Sequence, residues 1–280
     1  MNETLSNAAN AIWSSARVLE QRRFEHRYLG GDARRVLEAL DAYRNPDGGY
    51  GYALEPDGRG PTSQPPHIWT ALEVLQELGE TDPGIGDHLV TLSAPDGGLP
   101  VALPTLEPYA RAPWWGIGTE GTLLATALIY ARLSGDHPWK SGAEAFCWNA
   151  VEAIENTHPY EVESAITFLD AAPDRKRAAA QAERLGRLVR EQNLVGTQPE
   201  GYSPGEVHHP HNFASSPDSV ARAWFSDAEI EASLDHLASQ QREHGGWEVT
   251  WAHWTPAIAI EWSGLVTIDA LKILRAYGRT

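Results

Sequence analysis

The chain has 280 residues, of which 42% are hydrophobic and 21% are charged, a composition typical of soluble globular proteins. Its net charge of −16 disfavours binding to nucleic acid or to an anionic membrane surface, because both depend on clustered lysine and arginine. The sequence holds no apolar run of about 18 residues and no basic leader before an apolar core, so we expect a cytoplasmic protein without membrane insertion. Because Cys147 is the one cysteine, an internal disulfide is excluded.

Apolar residues recur every three or four positions along most of the chain and alternating strand patterns are absent, so the sequence predicts an all-α fold. Asp32 is the predicted N-cap of one helix, while Pro65 and Pro66 lie at the start of another, which Gly79 ends. The predicted helices, in chain order, are Ala8–Leu19, Asp32–Tyr43, His67–Leu78, Ile85–Leu92, Glu120–Leu133, Trp139–Glu155, Glu161–Leu169, Arg175–Gln192, Asp218–Phe225, Asp227–Gln241 and Ile258–Ala276.

A double-glycine turn recurs three times between these helices. The copies are Asn45–Gly51, Ala94–Pro100 and Arg242–Trp247. Their first glycines stand 49 residues apart and then 148 residues apart, which is close to three times 49. A fixed period of this length indicates a structural unit that stacks on copies of itself, here a pair of antiparallel helices.

The period predicts five to six helical hairpins in a single domain, 1–280. Gly196 fits the series, whereas the copy expected near residue 146 would fall inside the helix that holds Cys147. Such hairpins coil into an open solenoid or close into an α/α toroid. We favour closure, because no polar capping repeat is evident and both ends of the chain are amphipathic helices.

The last turn, Gln240–Trp247, resembles the Gln-Trp repeat of squalene and oxidosqualene cyclases and of protein prenyltransferase β subunits, where a glutamine ends an outer helix and a glycine and an aromatic residue follow. The first turn, Asn45–Gly51, followed by the helix that begins near His67, is similar. The resemblance implies an (α/α) toroid of the terpenoid-cyclase and prenyltransferase type, with a hydrophobic, isoprenoid-like substrate. In such a toroid, residues that follow a glycine turn tend to face the central cavity.

The catalytic motifs of that superfamily are absent. The sequence contains neither the Asp-x-Asp-Asp acid motif nor the Asp-Asp-x-x-Asp diphosphate motif, and Cys147 lacks the nearby aspartate of the prenyltransferase zinc site. The resemblance therefore implies a fold and not a reaction. We expect no metal and no other cofactor.

Glu55 and Asp57 follow the first turn, and we expect them near one mouth of the cavity together with His67. A carboxyl group enclosed there can donate or accept a proton, and Asp57 is the preferred catalytic acid. Glu261, within an apolar stretch, is a second candidate. The alternative is that Glu55 and Asp57 are loop and cap carboxylates that support the helix at Pro65.

The segment Gly205–Phe213 carries three histidines, followed by Asp218. Imidazole and carboxylate suit zinc, but Pro210 and the tight spacing make convergence on one ion difficult, so a solvated histidine-rich loop is the preferred interpretation. If the segment is functional, one histidine such as His211 could be a base paired with Asp218.

Tryptophan is unusually frequent, with 11 residues against 5 phenylalanines. Aromatic faces attract carbocations and equally suit sugar rings, although a tryptophan that only packs in a helical core is the competing interpretation. The predicted substrate-binding residues are Trp69, Trp114, Trp115, Trp251, Trp254, His67 and His211.

We therefore favour a terpenoid cyclase-like enzyme, an isomerase or lyase, that encloses a hydrophobic substrate and uses carboxylate acid–base chemistry. One alternative is a carbohydrate-active toroid enzyme, such as a glycoside hydrolase, lyase or epimerase. Another is a toroid that binds a ligand without catalysis. Substrate identity and oligomeric state stay open at this level.

Overall fold

The computed structural model describes residues 2–280, and within them the chain forms twelve α-helices and no β-strand. The predicted all-α class is confirmed. No helix in these residues is both long and apolar enough to cross a bilayer. The helices are Glu3–Ser15 (α1), Val18–Leu29 (α2), Ala33–Asp41 (α3), Pro65–Leu78 (α4), Pro83–Leu92 (α5), Leu123–Arg132 (α6), Trp139–Ala153 (α7), Pro159–Ala171 (α8), Arg175–Glu191 (α9), Pro210–Phe213 (α10), Asp227–Ser239 (α11) and Pro256–Ala276 (α12).

The chain divides into two compact units. A terminal unit combines the residues up to Val36 with Ala182–Thr280, and a central unit spans Leu37–Gln181. The single domain over 1–280 stays a prediction.

In the central unit, helices pack in two rows. Helix α4 packs on α6 and α6 on α8, while α5 packs on α7. Phe168 of α8 is fully buried and lies 5.3 Å from the ring of Tyr130 and 4.9 Å from the ring of Trp148, measured between ring centroids. Helix α6 also packs on α7, so the two rows lie against each other.

In the terminal unit, the last helix of the chain packs against the first two helices. Helix α12 contacts α1, α2 and α11. The side-chain amide of Gln241 donates to Thr4 O at 2.8 Å, and Arg275 Nη1 donates to Arg27 O at 3.0 Å. These bonds join residues more than 230 positions apart in the chain.

The three glycine turns share one hydrogen-bond pattern, which confirms that they are copies. In the first turn, Asn45 N–H donates to Gly49 O at 2.8 Å, Gly48 N–H donates to Asn45 O at 3.2 Å, and Gly49 N–H donates to Asp47 Oδ1 at 2.9 Å. In the second turn the equivalent residues are Ala94, Asp96, Gly97 and Gly98. In the third turn they are Arg242, His244, Gly245 and Gly246. In the last turn the Nδ1 atom of His244 replaces the aspartate oxygen.

The first glycine of each turn is required by its backbone angle and by its neighbours. Its φ is 85°, 89° and 95° in the three copies, a left-handed region that other residues rarely adopt. A Cβ atom there would lie 2.8 Å from Gly84 O, 2.6 Å from Gly142 O and 1.9 Å from Asn7 O, respectively. These atoms belong to α5, α7 and α1, so each turn docks against the backbone of a helix.

The predicted helix Ala8–Leu19 is correct only as far as Ser15, where α1 ends, because two extended residues separate α1 from α2. Ala16 and Arg17 are extended, with ψ of 155° and 160°. The hydroxyls of Ser14 and Ser15 donate to the carbonyls of the preceding turn, a bond that competes with helix continuation. Most of α2 was not predicted, because its many charged residues leave few apolar positions.

Two further predictions differ from the structure. The predicted helix Asp218–Phe225 is a short 3-10 helix, Val220–Trp224, whose start is capped by the side chain of Ser219. Gly196 is not a further copy of the turn, because its N–H donates to His208 O at 2.8 Å. The predicted stop at Gly79, which ends α4 in the left-handed conformation, is confirmed.

Candidate functional site

Two buried carboxylates lie in the loop between the first glycine turn and α4. Glu55 is 4% exposed and Asp57 is 3% exposed. The N–H of Asp57 donates to Glu55 Oε2 at 2.8 Å, and the N–H of Glu55 donates to Nδ1 of His67 at 3.1 Å. Because a backbone N–H can only donate, Nδ1 of His67 carries no proton. Three residues predicted for the site are therefore linked by hydrogen bonds.

This carboxylate loop, residues 50–64, is joined to a second loop, residues 107–116, which we call the tryptophan loop. Arg59 N–H donates to Ala110 O at 2.9 Å, and Ala112 N–H donates to Asp57 O at 2.8 Å. The bonds hold the backbone of Asp57 against the second loop.

Trp115 of the tryptophan loop is buried against the carboxylate loop and His67. Its ring centroid lies 6.3 Å from that of His67. The ring also covers Gly58, where a Cβ atom would approach Trp115 Cζ3 to 2.3 Å. Glycine at position 58 is therefore needed for this ring to lie against the carboxylate loop.

The backbone just before Glu55 is in an unfavourable conformation. Tyr52 and Ala53 have φ of 56° and 59°, so two consecutive residues other than glycine occupy the left-handed region. Each such residue costs roughly 1 kcal/mol or more, and strain of this kind concentrates at functional sites. The conformation favours a functional role for the loop.

Three exposed rings lie on the same two loops: Tyr52 is 53% exposed, Tyr109 36% and Trp114 48%. The ring of Tyr109 covers Gly60, whose φ is 93°. Trp114 was predicted from the sequence, but Tyr52 and Tyr109 were missed. The position of Tyr52 just after the first glycine turn was the available signal for that residue.

The remaining predicted residues are distributed as follows. Trp69 is half-buried on α4 in the central unit. In the terminal unit, Trp251, Trp254 and Glu261 are half-buried, and Asp218 is exposed. The ring of Trp251 stands edge-on to that of Trp262, with 5.1 Å between their centroids.

The histidine segment anchors α10 to α11. His211 N–H donates to Ser233 Oγ at 3.0 Å, and Nδ1 of His211 lies 2.7 Å from the same oxygen. The ring of His209 stacks on that of His211 at 5.8 Å and lies 4.1 Å from that of His236. Across residues 2–280, no group of three or more histidine, cysteine, aspartate or glutamate side chains could hold a metal ion.

This histidine cluster should make the protein less stable as the pH falls below about 6.5. Burial, with neighbouring histidines, lowers the pKa of His211 to about 3 and that of His209 to about 4. Between about pH 6.5 and the lowered pKa, the unfolded chain binds a proton that the folded chain does not, so protonation favours unfolding. When the pH falls from 6 to 5, the free energy of unfolding of His211→Asn should decrease by about 1 kcal/mol less than that of the parent.

Urea unfolding at each pH measures this difference. His253→Asn, which removes an exposed histidine outside this cluster, is the control variant. If the free energy of unfolding fell equally with pH in the parent and in His211→Asn, His211 would bind its proton equally well in the folded and unfolded chain, which would contradict the prediction.

No protein-family model matches the sequence, and no curated protein matches it with significant similarity. The superfamily resemblance of the glycine turns thus stays a prediction.

Proposed function

We propose that the protein is an acid–base enzyme in which Asp57 transfers a proton to or from a substrate held against aromatic rings. The observation that carries the proposal is the burial of two carboxylates, Glu55 and Asp57, in a loop that has a strained segment of backbone just before them. Carboxyl groups positioned in this way are common general acids and bases.

In this proposal Glu55 and His67 are positioning residues. The Glu55 carboxylate accepts the N–H of Asp57, and His67 accepts the N–H of Glu55. Trp115 supplies an apolar wall beside them. The backbone at position 57 is held on two sides, because its carbonyl also accepts the N–H of Ala112.

The first candidate substrate is a hydrophobic, isoprenoid-like molecule, and the reaction is a proton-initiated isomerisation or cyclisation of the terpenoid cyclase type. An (α/α) toroid of helical hairpins is part of this proposal. Three turns with one hydrogen-bond pattern support the toroid, as do the two rows of helices in the central unit and the packing of α12 on α1 in the terminal unit.

The second candidate is a carbohydrate-active enzyme. The exposed rings of Tyr52, Tyr109 and Trp114 favour it, because sugar rings stack on exposed aromatic faces and these three rings belong to the loops around Asp57. Two carboxylates are also the usual machinery of glycoside hydrolysis.

Native mass spectrometry of protein purified from its host distinguishes the candidates. A bound isoprenoid supports the first candidate, and a bound sugar supports the second. Turnover is tested separately, by incubating the protein with squalene or with mixed oligosaccharides and measuring their consumption by mass spectrometry. Binding without consumption of the compound that co-purifies would exclude an enzyme acting on that compound.

Asp57→Asn should lower turnover of the consumed substrate by about 100-fold or more, because the amide cannot donate or accept the proton. Glu107→Gln is the matched control, since it removes an exposed carboxylate from the tryptophan loop. The control should keep parental turnover, and both variants should unfold cooperatively in urea. Full activity in Asp57→Asn would remove this residue from the mechanism.

A further inference from the structure

Arg111 of the tryptophan loop has no carboxylate partner within the described residues 2–280. Its Nε atom donates to Trp115 O at 3.2 Å, which holds the half-buried side chain, and both Nη atoms have no acceptor in the same residues. Arg44 and Arg132 of the same unit instead pair with carboxylates, at 2.9 Å and 3.2 Å. In a chain with 38 acidic residues, a fixed arginine that pairs with none of them can bind the carboxylate of a ligand.

The backbone fixes Arg111 opposite the carboxylate loop. Gly58, which directly follows Asp57, forms an antiparallel bridge with Arg111. The two hydrogen bonds that join the loops lie on either side of this bridge. Arg111 therefore belongs to the part of the tryptophan loop that is paired with the loop of the proposed acid.

The exposed large hydrophobic side chains of these loops, 50–64 and 107–116, are all aromatic: Tyr52, Tyr109 and Trp114. In sequence, Tyr109 and Trp114 stand on either side of Arg111. The N–H of Tyr52 donates to Gly60 O at 2.9 Å, and the ring of Tyr109 covers the same glycine. Tyrosine and tryptophan rings combine an apolar face with a polar edge, which suits a sugar ring with its C–H face and its hydroxyl groups.

A ligand that fits these side chains brings both a ring face and an anionic group. Proline-rich peptides also dock on aromatic rings, but they bring no carboxylate for Arg111. Nucleic acids bring stacking bases and phosphates, but a chain with a net charge of −16 repels their repeated charges. An oligosaccharide with one carboxylate meets both requirements without a run of charges.

We propose that Arg111 and the three exposed rings bind an oligosaccharide that carries a single carboxylate, as a uronic acid unit does. The guanidinium binds the carboxylate through its Nη atoms, while the rings of Tyr52, Tyr109 and Trp114 stack on neighbouring sugar units. The proposal rests on the carbohydrate candidate for the function, but binding itself does not require proton transfer by Asp57.

An array of neutral oligosaccharides, together with the same oligosaccharides bearing one uronic acid unit, tests the proposal on the full chain. We expect acidic members to bind at least about tenfold more tightly than their neutral counterparts, because they add a charge-assisted hydrogen bond. Added salt should reduce this preference. Equal binding of acidic and neutral members, no binding to any acidic member, or tighter binding of short acidic peptides on the same array would overturn the proposal.

Arg111→Gln should bind acidic members no more tightly than neutral ones, and Arg111→Lys, which keeps the charge without the planar fork, should retain part of the preference. Arg35→Gln, which removes an exposed arginine outside both loops, is the matched control and should bind as the parent does. All three variants should unfold cooperatively in urea. A folded Arg111→Gln with the parental preference for acidic members would overturn the proposal.

Asp57→Asn separates this site from the proposed reaction. The variant should bind acidic oligosaccharides as the parent does while it loses turnover. A parent that binds these oligosaccharides without consuming them would contradict the proposed reaction and support the binding site. Consumption of neutral oligosaccharides alone would support the reaction and overturn the role of Arg111.

Discussion

Replacement of Gly245 by alanine should lower the free energy of unfolding by about 3–5 kcal/mol. The new Cβ would lie 1.9 Å from Asn7 O and 2.5 Å from Asn7 C. Neither atom can yield easily, because both belong to the backbone of α1. The φ of 95° adds a further cost for any residue with a side chain.

Gly79→Ala is the matched control for Gly245→Ala. Gly79 is also left-handed, with φ of 69°, but a Cβ there would meet no atom within 4 Å. Its replacement should therefore cost only about 1 kcal/mol, the conformational part of the effect. Urea unfolding followed by circular dichroism measures both variants, and equal losses would contradict the docking of the last turn on α1.

Trp247→Ala should destabilise the protein by about 3–5 kcal/mol, the range for a large aromatic side chain removed from a core. Trp247 is 4% exposed, and its indole N–H donates to Leu237 O at 2.8 Å. The substitution leaves a cavity and removes the donor to a buried carbonyl.

The comparison with Trp114→Ala separates packing from ligand binding. Trp114 is 48% exposed, so its loss should change stability by less than about 1 kcal/mol. If the exposed rings hold substrate, this variant should bind the co-purified compound more weakly, as measured by titration calorimetry. A large loss of stability in Trp114→Ala would show that this tryptophan also serves packing.

The glycine turns show what local sequence can predict. The hydrogen bonds of Asn45, Asp47 and the two following glycines lie within five residues, so the repeat could be recognised from spacing and residue type alone. The same holds for the helix end at Gly79, where the left-handed angle follows from glycine. The break before α2 was missed, because Ala16 and Arg17 carry no strong stop signal.

The candidate site was predictable only in part. Glu55, Asp57 and His67 are close in sequence, and their grouping followed from the loop that contains the first two. The neighbouring aromatic residues depend on the pairing of Arg59 with Ala110, which lies 51 positions further along the chain. No periodicity in either loop predicts that pairing.

Residue type and spacing were sufficient for the all-helical class, for most helices and for the repeated turns, because these follow from hydrogen bonds and φ angles within a few residues. Burial of Trp247 and exposure of Trp114 were not predictable in this way, since two residues of the same type differ only in what packs against them. That packing depends on contacts between distant segments. The tertiary structure therefore decides which aromatic residues stabilise the core and which remain available to a ligand.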